Sequence, residues 1–253
     1  MVTYIILRKV EKMDLFKSWL VENYIAHRGL HDEQSPENSL SAFEKAIENG
    51  YVIELDVQQI SDGTVIVFHD ATLSRLTGHD GYVKYLIKDD LSSCYLGGTK
   101  ETIPTFQEAL NKICGRTPIL IEIKNSGKPG KLESQVLEYL KNYCGQYAIM
   151  SFNPYVLKWF KDNAPNIIRG QLSSFFKNEN LNLLKRIVLK KMLLNKVCEP
   201  NFIAYNALNL PNRFVRKYNT LPLLAWTIRS QEEYMKVVKH CDNIIFEGFQ
   251  PKI

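Results

Sequence analysis

Side chains that can move protons, hold anions or bind a metal ion follow several short apolar runs in this sequence. They are two histidines, three carboxylates, an arginine and a lysine: His27, Arg28, Glu54, Asp56, His69, Glu122 and Lys124. Glu54 and Asp56 are two residues apart, as are Glu122 and Lys124, and residues i and i+2 of a β-strand point to the same side. The spacing therefore predicts that each pair shares one face of a strand.

The chemistry that this set could perform follows from its charge balance. Three carboxylates outnumber the two permanent cations, Arg28 and Lys124, and a buried carboxylate is costly without a partner. A divalent cation would supply the missing positive charge, and an all-oxygen ligand set favours Mg²⁺ or Ca²⁺ over zinc. A metal ion and the guanidinium of an arginine can bind an anionic phosphate, and two histidines can transfer protons, so the set suits a substrate with a phosphate group. The alternative is a structural network in which the carboxylates only pair with the basic side chains.

The elements that must position these side chains alternate along the chain. Nine apolar runs are typical of β-strands, at 24–26, 52–57, 64–68, 119–123, 147–151, 167–170, 202–205, 221–227 and 243–247. Segments with helical spacing of apolar residues separate most of them, at 38–48, 105–113, 132–142, 154–163, 181–197, 211–217 and 231–239. Strands that alternate with helices indicate an α/β fold around a parallel sheet.

One of the nine runs can be assigned to a hairpin. Asp62-Gly63 stands between the second and third runs, and Asp-Gly is a preferred two-residue hairpin turn. Such a turn would place Asp56 opposite His69 and make the third run an antiparallel return strand. Eight parallel strands remain, so we predict an α/β fold, a (β/α)8 TIM-type barrel with an insertion at about residues 71–103. Active sites of such barrels lie at the C-terminal ends of the strands, where these polar side chains stand.

Motifs in a fixed order connect these side chains to a known family. They are His27-Arg28-Gly29, Pro36-Glu37-Asn38-Ser39 with Phe43, Glu54-Leu55-Asp56-Val57, Asp62-Gly63, His69-Asp70, Leu73, Arg75, Thr77-Gly78, Ile103-Pro104-Thr105-Phe106 and Glu122-Ile123-Lys124. Their order and spacing resemble the glycerophosphodiester phosphodiesterases, most densely over residues 26–78 and more thinly toward residue 247. The resemblance implies a TIM-type barrel and metal-dependent cleavage of small glycerophosphodiesters to glycerol 3-phosphate and an alcohol.

The resemblance also implies a role for each matching side chain. His27 and His69 would be the general acid and base, in an order that the sequence leaves open. One divalent cation, Mg²⁺ or Ca²⁺, would be held by Glu54, Asp56 and Glu122. Arg28 would hold the phosphate with Lys124 as a helper, and Trp226 would line the glycerol end of the pocket or serve as a core aromatic. Attack by the neighbouring glycerol hydroxyl would give a cyclic phosphate, with water as the alternative nucleophile.

Departures from the family pattern fall at the predicted catalytic face. Phe246 and Glu247 stand where the family usually has Thr and Asp, and Arg229 stands where it commonly has Asn. We expect these changes to affect substrate preference more than the core chemistry. Residues 1–23 lie outside the resemblance, and we expect them to form an N-terminal helix that closes the bottom of the barrel.

Composition limits the class of protein. The chain has 253 residues, a net charge of +5 and 45% hydrophobic residues, which excludes a wholly disordered, collagen-like or disulfide-scaffold chain. The length suits one barrel domain over residues 1–253. Five cysteines without a CxxC pair predict free thiols in a reducing compartment, and hence a cytoplasmic location. We find neither an 18-residue apolar run nor a signal peptide.

The net charge and one basic segment are the features of the sequence that bear on binding partners. The charge is too dilute to predict a nucleic-acid partner, and the oligomeric state stays open. Segment 181–197 has five basic residues among apolar ones, and we expect a barrel helix with a solvated basic side in preference to contact with anionic lipid.

Two other functions remain. One is lysophospholipase D-like action on lipid-tailed substrates, for which the insertion could supply an apolar channel through Leu76, Tyr82, Tyr85, Leu86 and Ile87. The other is a catalytically silent barrel that binds phosphorylated ligands. A dinucleotide-binding domain and a P-loop are disfavoured, because the sequence lacks their glycine-rich motifs.

Overall fold

The computed structural model describes residues 14–177 and 179–252, in which strands alternate with helices. The strands in this part of the chain are β1 Ile25–Ala26, β2 Val52–Gln59, β3 Val65–Val67, β4 Ile119–Ile123, β5 Tyr147–Ser151, β6 Arg169–Ser173, β7 Phe202–Asn206, β8 Leu223–Ile228 and β9 Asn243–Phe246. The α-helices are α1 Trp19–Glu22, α2 Leu40–Glu48, α3 Ser74–Thr77, α4 Phe106–Ile113, α5 Lys131–Lys141, α6 Pro154–Asn163, α7 Leu183–Lys190, α8 Asn195–Cys198, α9 Arg213–Arg216 and α10 Gln231–Val237. No helix in these two ranges is long and apolar enough to span a membrane.

Eight of the strands are parallel and close into a ring. β2 pairs with β4, and the pairing continues from strand to strand up to β9. β1 then closes the ring, because Ile25 lies opposite both Val52 of β2 and Ile245 of β9. Helices lie between successive ring strands, so the predicted (β/α)8 TIM-type barrel is confirmed.

Alternate side chains of the ring strands face the barrel interior. An interior cluster is formed by Ile25, Val52, Leu120, Ala148, Met150, Leu172, Phe202, Ala204, Leu224 and Ile245. The intervening side chains, such as Ile53 and Ile121, pack in the outer cluster with the helices. Because side chains alternate with a period of two, the residue two positions after an interior apolar residue also faces inward, closer to the mouth of the barrel.

β3 is the predicted antiparallel return strand and lies outside the ring, with Val67 opposite Val57 of β2. The expected register of this hairpin is wrong by one residue. The N–H of Phe68 donates to the C=O of Asp56 at 3.0 Å, so Phe68 and not His69 stands opposite Asp56. The reason is that the turn has three residues and ends in Gly63, whose φ is +93°. A left-handed glycine that closes a three-residue loop is a common alternative to the two-residue turn.

The predicted insertion folds around a small apolar core of its own. This core consists of Ile60, Ile66, Phe68, Leu73, Val83, Leu91, Cys94, Leu96 and Ile103. Leu76 and Leu86, which were expected to line an apolar channel, pack partly buried against it. Tyr82, Tyr85 and Ile87 are exposed, so these three of the five side chains offer the most apolar surface to solvent.

Two predicted elements differ from the structure for identifiable reasons. The helix expected over 181–197 is split into α7 and α8, because Met192 adopts φ +51° and turns its side chain into a cluster with Ile203 and Tyr205. The strand expected at 167–170 is β6, which begins two residues later. Its C-terminal half contains Gln171 and Ser173, buried polar residues that weaken an apolar pattern.

The N-terminal segment is described from residue 14 onward, so residues 1–13 of the expected helix lie outside the described residues. In the described part, α1 places Trp19 and Leu20 against the interior cluster. The side-chain amide of Asn243, the first residue of β9, donates to the C=O of Leu20 at 2.8 Å. α1 thus contacts the barrel at the N-terminal ends of the strands, opposite to the mouth.

Candidate active site

Three carboxylates stand together at the mouth of the barrel. Glu54 and Asp56 lie on β2 and Glu122 lies on β4, where it is the register partner of Asp56. They follow the interior residues Val52 and Leu120 at intervals of two, so the alternation of the strand points them inward. All three are buried, and one oxygen from each lies within 4.8 Å of the others.

The electrostatics of the three carboxylates call for an additional positive charge. Burial raises the pKa of Glu54 well above its ordinary value, and the charges of Asp56 and Glu122 raise it further. Burial also raises the pKa of Glu122. Burial acts in the same direction on Asp56, but nearby cations, led by Lys124, outweigh it and hold the pKa of Asp56 low. The buried Oε1 of Glu54 has no hydrogen-bond partner among the described residues, and Oδ1 of Asp56 faces the ammonium of Lys124 at 3.2 Å, so the set has oxygens that fit a hard divalent cation.

His27 follows β1 and faces the carboxylates. Its N–H donates to the C=O of Phe246 at 2.8 Å, which ties it to β9. Its Nδ1 is hydrogen-bonded to Oε2 of Glu247, and its Nε2 lies 3.9 Å from Oε2 of Glu54. Burial lowers the pKa of His27, and the bond to Glu247 opposes this only in part. A neutral ring that donates from Nδ1 leaves Nε2 free to accept a proton, a tautomer inferred from these bonds.

Two of the three departures from the family pattern, Arg229 and Glu247, contact each other. Nε of Arg229 lies 2.7 Å from Oε1 of Glu247, whose other oxygen contacts His27. Glu247 therefore links the cation Arg229 to the ring of His27. The sequence identified both positions, but their contact depends on how β8 and β9 lie side by side.

Arg28 is held among carboxylates by an unusual backbone conformation. Its φ is +57°, and its N–H donates to Oε2 of Glu54 at 2.9 Å. Its guanidinium donates from Nη1 to Glu37 at 2.6 Å and brings Nε within 3.3 Å of Asp56. The structure therefore places the predicted phosphate clamp beside the three carboxylates, as the motif order suggested.

Asn38 is a site residue to which the sequence gave no role. It is fully buried, and its side chain forms two hydrogen bonds with Asp56. Nδ2 donates to Oδ2 at 2.8 Å, and Oδ1 accepts from the N–H of Asp56 at 3.3 Å. Its own φ is +60°, in the left-handed region that asparagine tolerates better than most residues. The quoted Pro-Glu-Asn-Ser motif was the available signal.

A chain of charged contacts links the second histidine to Arg28. His69 Nδ1 lies 2.6 Å from Oδ1 of Asp70, and Oδ2 of Asp70 accepts from Nε of Arg75 at 2.5 Å. Arg75 forms a two-pronged pair with Glu37 at 2.6 and 2.8 Å, and Glu37 in turn accepts from Arg28. Burial lowers the pKa of His69, whose side chain is 34% exposed and therefore reachable from solvent.

Lys124 and Trp226 complete the set of predicted residues. Nζ of Lys124 lies 2.8 Å from Glu122 and 3.2 Å from Asp56. Burial works against its charge, but these two carboxylates raise the pKa of Lys124 and keep it protonated. Trp226 packs against the interior cluster, with its ring edge-to-face against Phe152 at 5.4 Å between centroids. Its indole N–H is buried and has no partner within the described part of the chain.

Comparisons with known proteins point to one family. Residues 27–245 match the model of the Glycerophosphoryl diester phosphodiesterase family. A glycerophosphodiester phosphodiesterase of Caldanaerobacter subterraneus subsp. tengcongensis is 31% identical over 230 residues, which are 85% of this chain and 89% of that protein. A lysophospholipase D of Rattus norvegicus is 32% identical over 164 residues, 58% of this chain and 51% of that protein. The structure of an Oleispira antarctica phosphodiesterase in complex with the product sn-glycerol-3-phosphate has a TM-score of 0.74 at 25% identity, covering 90% of this chain and 93% of that chain.

Proposed function

Because the chain belongs to the glycerophosphoryl diester phosphodiesterase family and is thus a phosphoric diester hydrolase, we propose that it hydrolyses small glycerophosphodiesters to glycerol 3-phosphate and an alcohol. The observation that carries the proposal is the three-carboxylate cluster facing Nε2 of His27 at one barrel mouth. A catalytically silent binding barrel would have lost a histidine or a carboxylate of the predicted site. All five of these residues are present, namely His27, His69, Glu54, Asp56 and Glu122.

We propose that Glu54, Asp56 and Glu122 hold one divalent cation, Mg²⁺ or Ca²⁺. Bound to these oxygens, such a cation would polarise the phosphoryl group and offset its negative charge. Arg28 and Lys124 are the side chains of this chain that would bind the other phosphoryl oxygens, since both lie within 3.3 Å of Asp56.

The proton transfers of the proposed reaction belong to the two histidines. Glu247 fixes Nδ1 of His27 and Asp70 fixes Nδ1 of His69, so each ring presents Nε2 to the substrate. One histidine, neutral at Nε2, takes the proton of the glycerol hydroxyl as the hydroxyl oxygen bonds to phosphorus. The other histidine, protonated at both nitrogens, gives its Nε2 proton to the leaving alkoxide as the bond from that oxygen to phosphorus breaks. Water then opens the resulting cyclic phosphate with the two roles exchanged. Direct attack by water would use the same two transfers.

Lysophospholipase D-like activity on lipid-tailed substrates is a second candidate. Tyr82 and Tyr85 of the insertion are both exposed and pack edge-to-face with 6.1 Å between ring centroids. They would offer apolar contact to a lipid tail that leaves the barrel mouth.

Both candidates are tested by one panel of assays. Glycerophosphocholine, glycerophosphoethanolamine, glycerophosphoglycerol and a lysophospholipid are each incubated with Mg²⁺, Ca²⁺ or chelator. We expect turnover of the small diesters with a metal ion and none with chelator. Turnover restricted to the lysophospholipid would select the second candidate.

His27→Ala and His69→Ala test the assignment of the acid and base. Each should lower kcat about 10²–10⁴-fold, the usual contribution of a positioned acid or base. His240→Ala is the matched control, because His240 lies in the turn Val238–His240 that precedes β9 at the opposite end of the barrel. Turnover near that of the unmodified protein in both site variants would refute the assignment.

A further inference from the structure

α7 is an amphipathic helix that the barrel covers only in part, because residues 183–185 are exposed and residues 186–190 are half-buried. None of its eight residues, all of them described, is buried. Leu183 and Leu184 in its first turn are 71% and 73% exposed, and Leu208 in the turn Ala207–Asn209 is 81% exposed. The N–H of Phe175 donates to Asn209 at 2.8 Å, so the segments before α7 and around Leu208 are joined. The segment was expected to form a barrel helix with a solvated basic side, and these leucines add an exposed apolar surface to it.

The helix is attached at the same end of the barrel as the candidate active site. Oγ of Ser173, the last residue of β6, donates to the C=O of Leu189 at 2.9 Å. The hydroxyl of Tyr205, near the end of β7, donates to the C=O of Lys190 at 3.0 Å. These bonds fix the C-terminal end of α7 at the mouth of the barrel. Leu183 begins the helix about 9 Å before Leu189 along its axis.

Basic side chains are frequent in the segment that contains α7. Segment 181–197 contains five of them and no Asp or Glu: Lys185, Arg186, Lys190, Lys191 and Lys196. None of the five forms a salt bridge with any residue in 14–177 or 179–252. Around Phe214, Arg213 lies 5.2 Å, Lys190 5.5 Å and Lys191 5.9 Å from the ring centroid. Like charges gathered in this way favour an anionic partner.

We propose that this surface, formed by the three leucines together with Lys185, Arg186, Lys190 and Lys191, docks on an anionic lipid surface. The leucines would enter the boundary between headgroups and acyl chains, and the lysines and arginine would contact the headgroups. A nucleic acid would use the charges but leave the leucines in water, and a second copy of the chain would bring like charges together. Lipid is the partner that uses both features, and its binding requires no turnover, so this proposal goes beyond the proposed function.

Co-sedimentation of the full chain with vesicles tests the proposal. We expect binding to phosphatidylcholine vesicles that contain phosphatidylglycerol, weaker binding as salt increases, and none to pure phosphatidylcholine. Leu184→Glu and Lys185→Glu should each lower the partition coefficient about tenfold or more. Leu208→Glu repeats the apolar test in a separate segment. Since these side chains are exposed, turnover of a small substrate should be unchanged.

Matched controls distinguish the surface from general effects of charge. Met235→Glu replaces a 63% exposed side chain of α10, and Lys239→Glu changes an exposed lysine at the opposite end of the barrel. Both should retain wild-type partition. Failure of the unmodified chain to bind the anionic vesicles would overturn the proposal. So would a loss confined to Lys185→Glu, which would indicate adsorption by charge alone, or a change of sedimentation mass in Leu184→Glu, which would indicate contact between two copies.

Discussion

The two oxygens of Glu247 divide their contacts between a histidine and an arginine. One oxygen bonds to Nδ1 of His27, and the other lies 2.7 Å from Arg229. Burial works to raise the pKa of Glu247, but the hydrogen bond from His27, the neighbouring His31 and the charge of Arg229 hold it well below the ordinary range. Glu247 is therefore a charged residue at the mouth that is hydrogen-bonded to the ring of His27.

Replacing Glu247 by Gln tests a positioning role of this side chain toward His27. The amide keeps the length of the side chain but removes the charge that opposes the effect of burial on His27. We expect kcat to fall about 10–100-fold, as is common when a residue that orients a functional histidine is lost, with little change in KM or in the melting temperature. Glu232→Gln is the control, because Glu232 pairs with Lys236 on the surface of α10. Equal activity of the two variants would contradict the role.

The carboxylate cluster predicts stabilisation by a divalent cation. Glu54, Asp56 and Glu122 repel one another in a buried site, and a ligand that binds only the folded state stabilises it by about 2.7 kcal/mol at a concentration of 100 times Kd. Mg²⁺ or Ca²⁺ should therefore raise the melting temperature by several degrees.

Calorimetry with each ion in turn checks this expectation. Glu54→Gln should abolish the rise, whereas Glu44→Gln, a change in the surface pair with Arg116, should preserve it. A melting temperature that responds to neither ion would argue against a metal site at these residues.

At the residue scale, the sequence predicted which side chains share a strand face, but it predicted neither their hydrogen-bond partners nor the hairpin register that places Phe68 opposite Asp56. The two-residue spacing of Glu54 and Asp56 was enough to place both on one face, because strand alternation is a local property. The contacts of Asn38 with Asp56 and of Arg229 with Glu247 depend on loop conformation and on the packing of neighbouring strands. No spacing rule along the chain contains that information.

At the element scale, the loop between β1 and α2 depends on one glycine. Gly29 has φ +80°, and a Cβ built on it would lie 2.9 Å from the backbone C and O of Ala42 in α2. Its N–H also bonds to the C=O of Glu54 at 3.2 Å. The absence of a side chain thus allows α2 to approach β1 and β2 where Arg28 and Asn38 reach the carboxylates.

Gly29→Ala should lower the free energy of unfolding by about 2–4 kcal/mol, because backbone strain and steric overlap both act. Gly50→Ala separates the two effects. Gly50 has φ +72° with nothing within 4 Å of the added Cβ, so its cost should be strain alone, about 1 kcal/mol. Urea unfolding of both variants measures the difference. Equal losses would mean that close approach to Ala42 contributes nothing.

The prediction of elements succeeded where apolar runs were uninterrupted. The bounds predicted for β4 and β5 match the structure because every residue of β4 except Glu122 is apolar and β5 reads Tyr-Ala-Ile-Met-Ser. β6 was displaced because Gln171 is polar yet buried, with its amide donating to the C=O of Ser151 at 3.1 Å. Burial of a satisfied polar group is a tertiary property, which an apolar pattern does not reveal.

At the scale of the whole molecule, closure of the ring assembles the site. β1 pairs with β9 as well as with β2, so the first and last ring strands are neighbours. His27 after β1 and Glu247 after β9 are separated by 220 positions and meet only because the ring is closed. β2, which pairs with β4, lies next to β1 in the closed ring. Residues from these four strands therefore share one mouth.

The packing of the closed barrel predicts a graded reactivity of its five free cysteines. Cys114 and Cys144 are exposed, whereas burial raises the pKa of Cys198 and of Cys241 to about 12. At pH 8 a thiol with that pKa is almost entirely protonated, and the thiolate is the reactive form. Iodoacetamide should therefore modify the two exposed cysteines first, with the buried ones following only after unfolding in urea.

Peptide mapping by mass spectrometry identifies the modified positions. Cys114→Ser and Cys144→Ser should each remove one of the two rapidly modified cysteines. Cys198 is the most informative position, because its side chain is fully buried and lies 3.8 Å from the amide oxygen of Gln171 on β6. It can react only when α8 leaves the barrel wall. Rapid modification of Cys198 in the folded chain would show that this part of the wall opens.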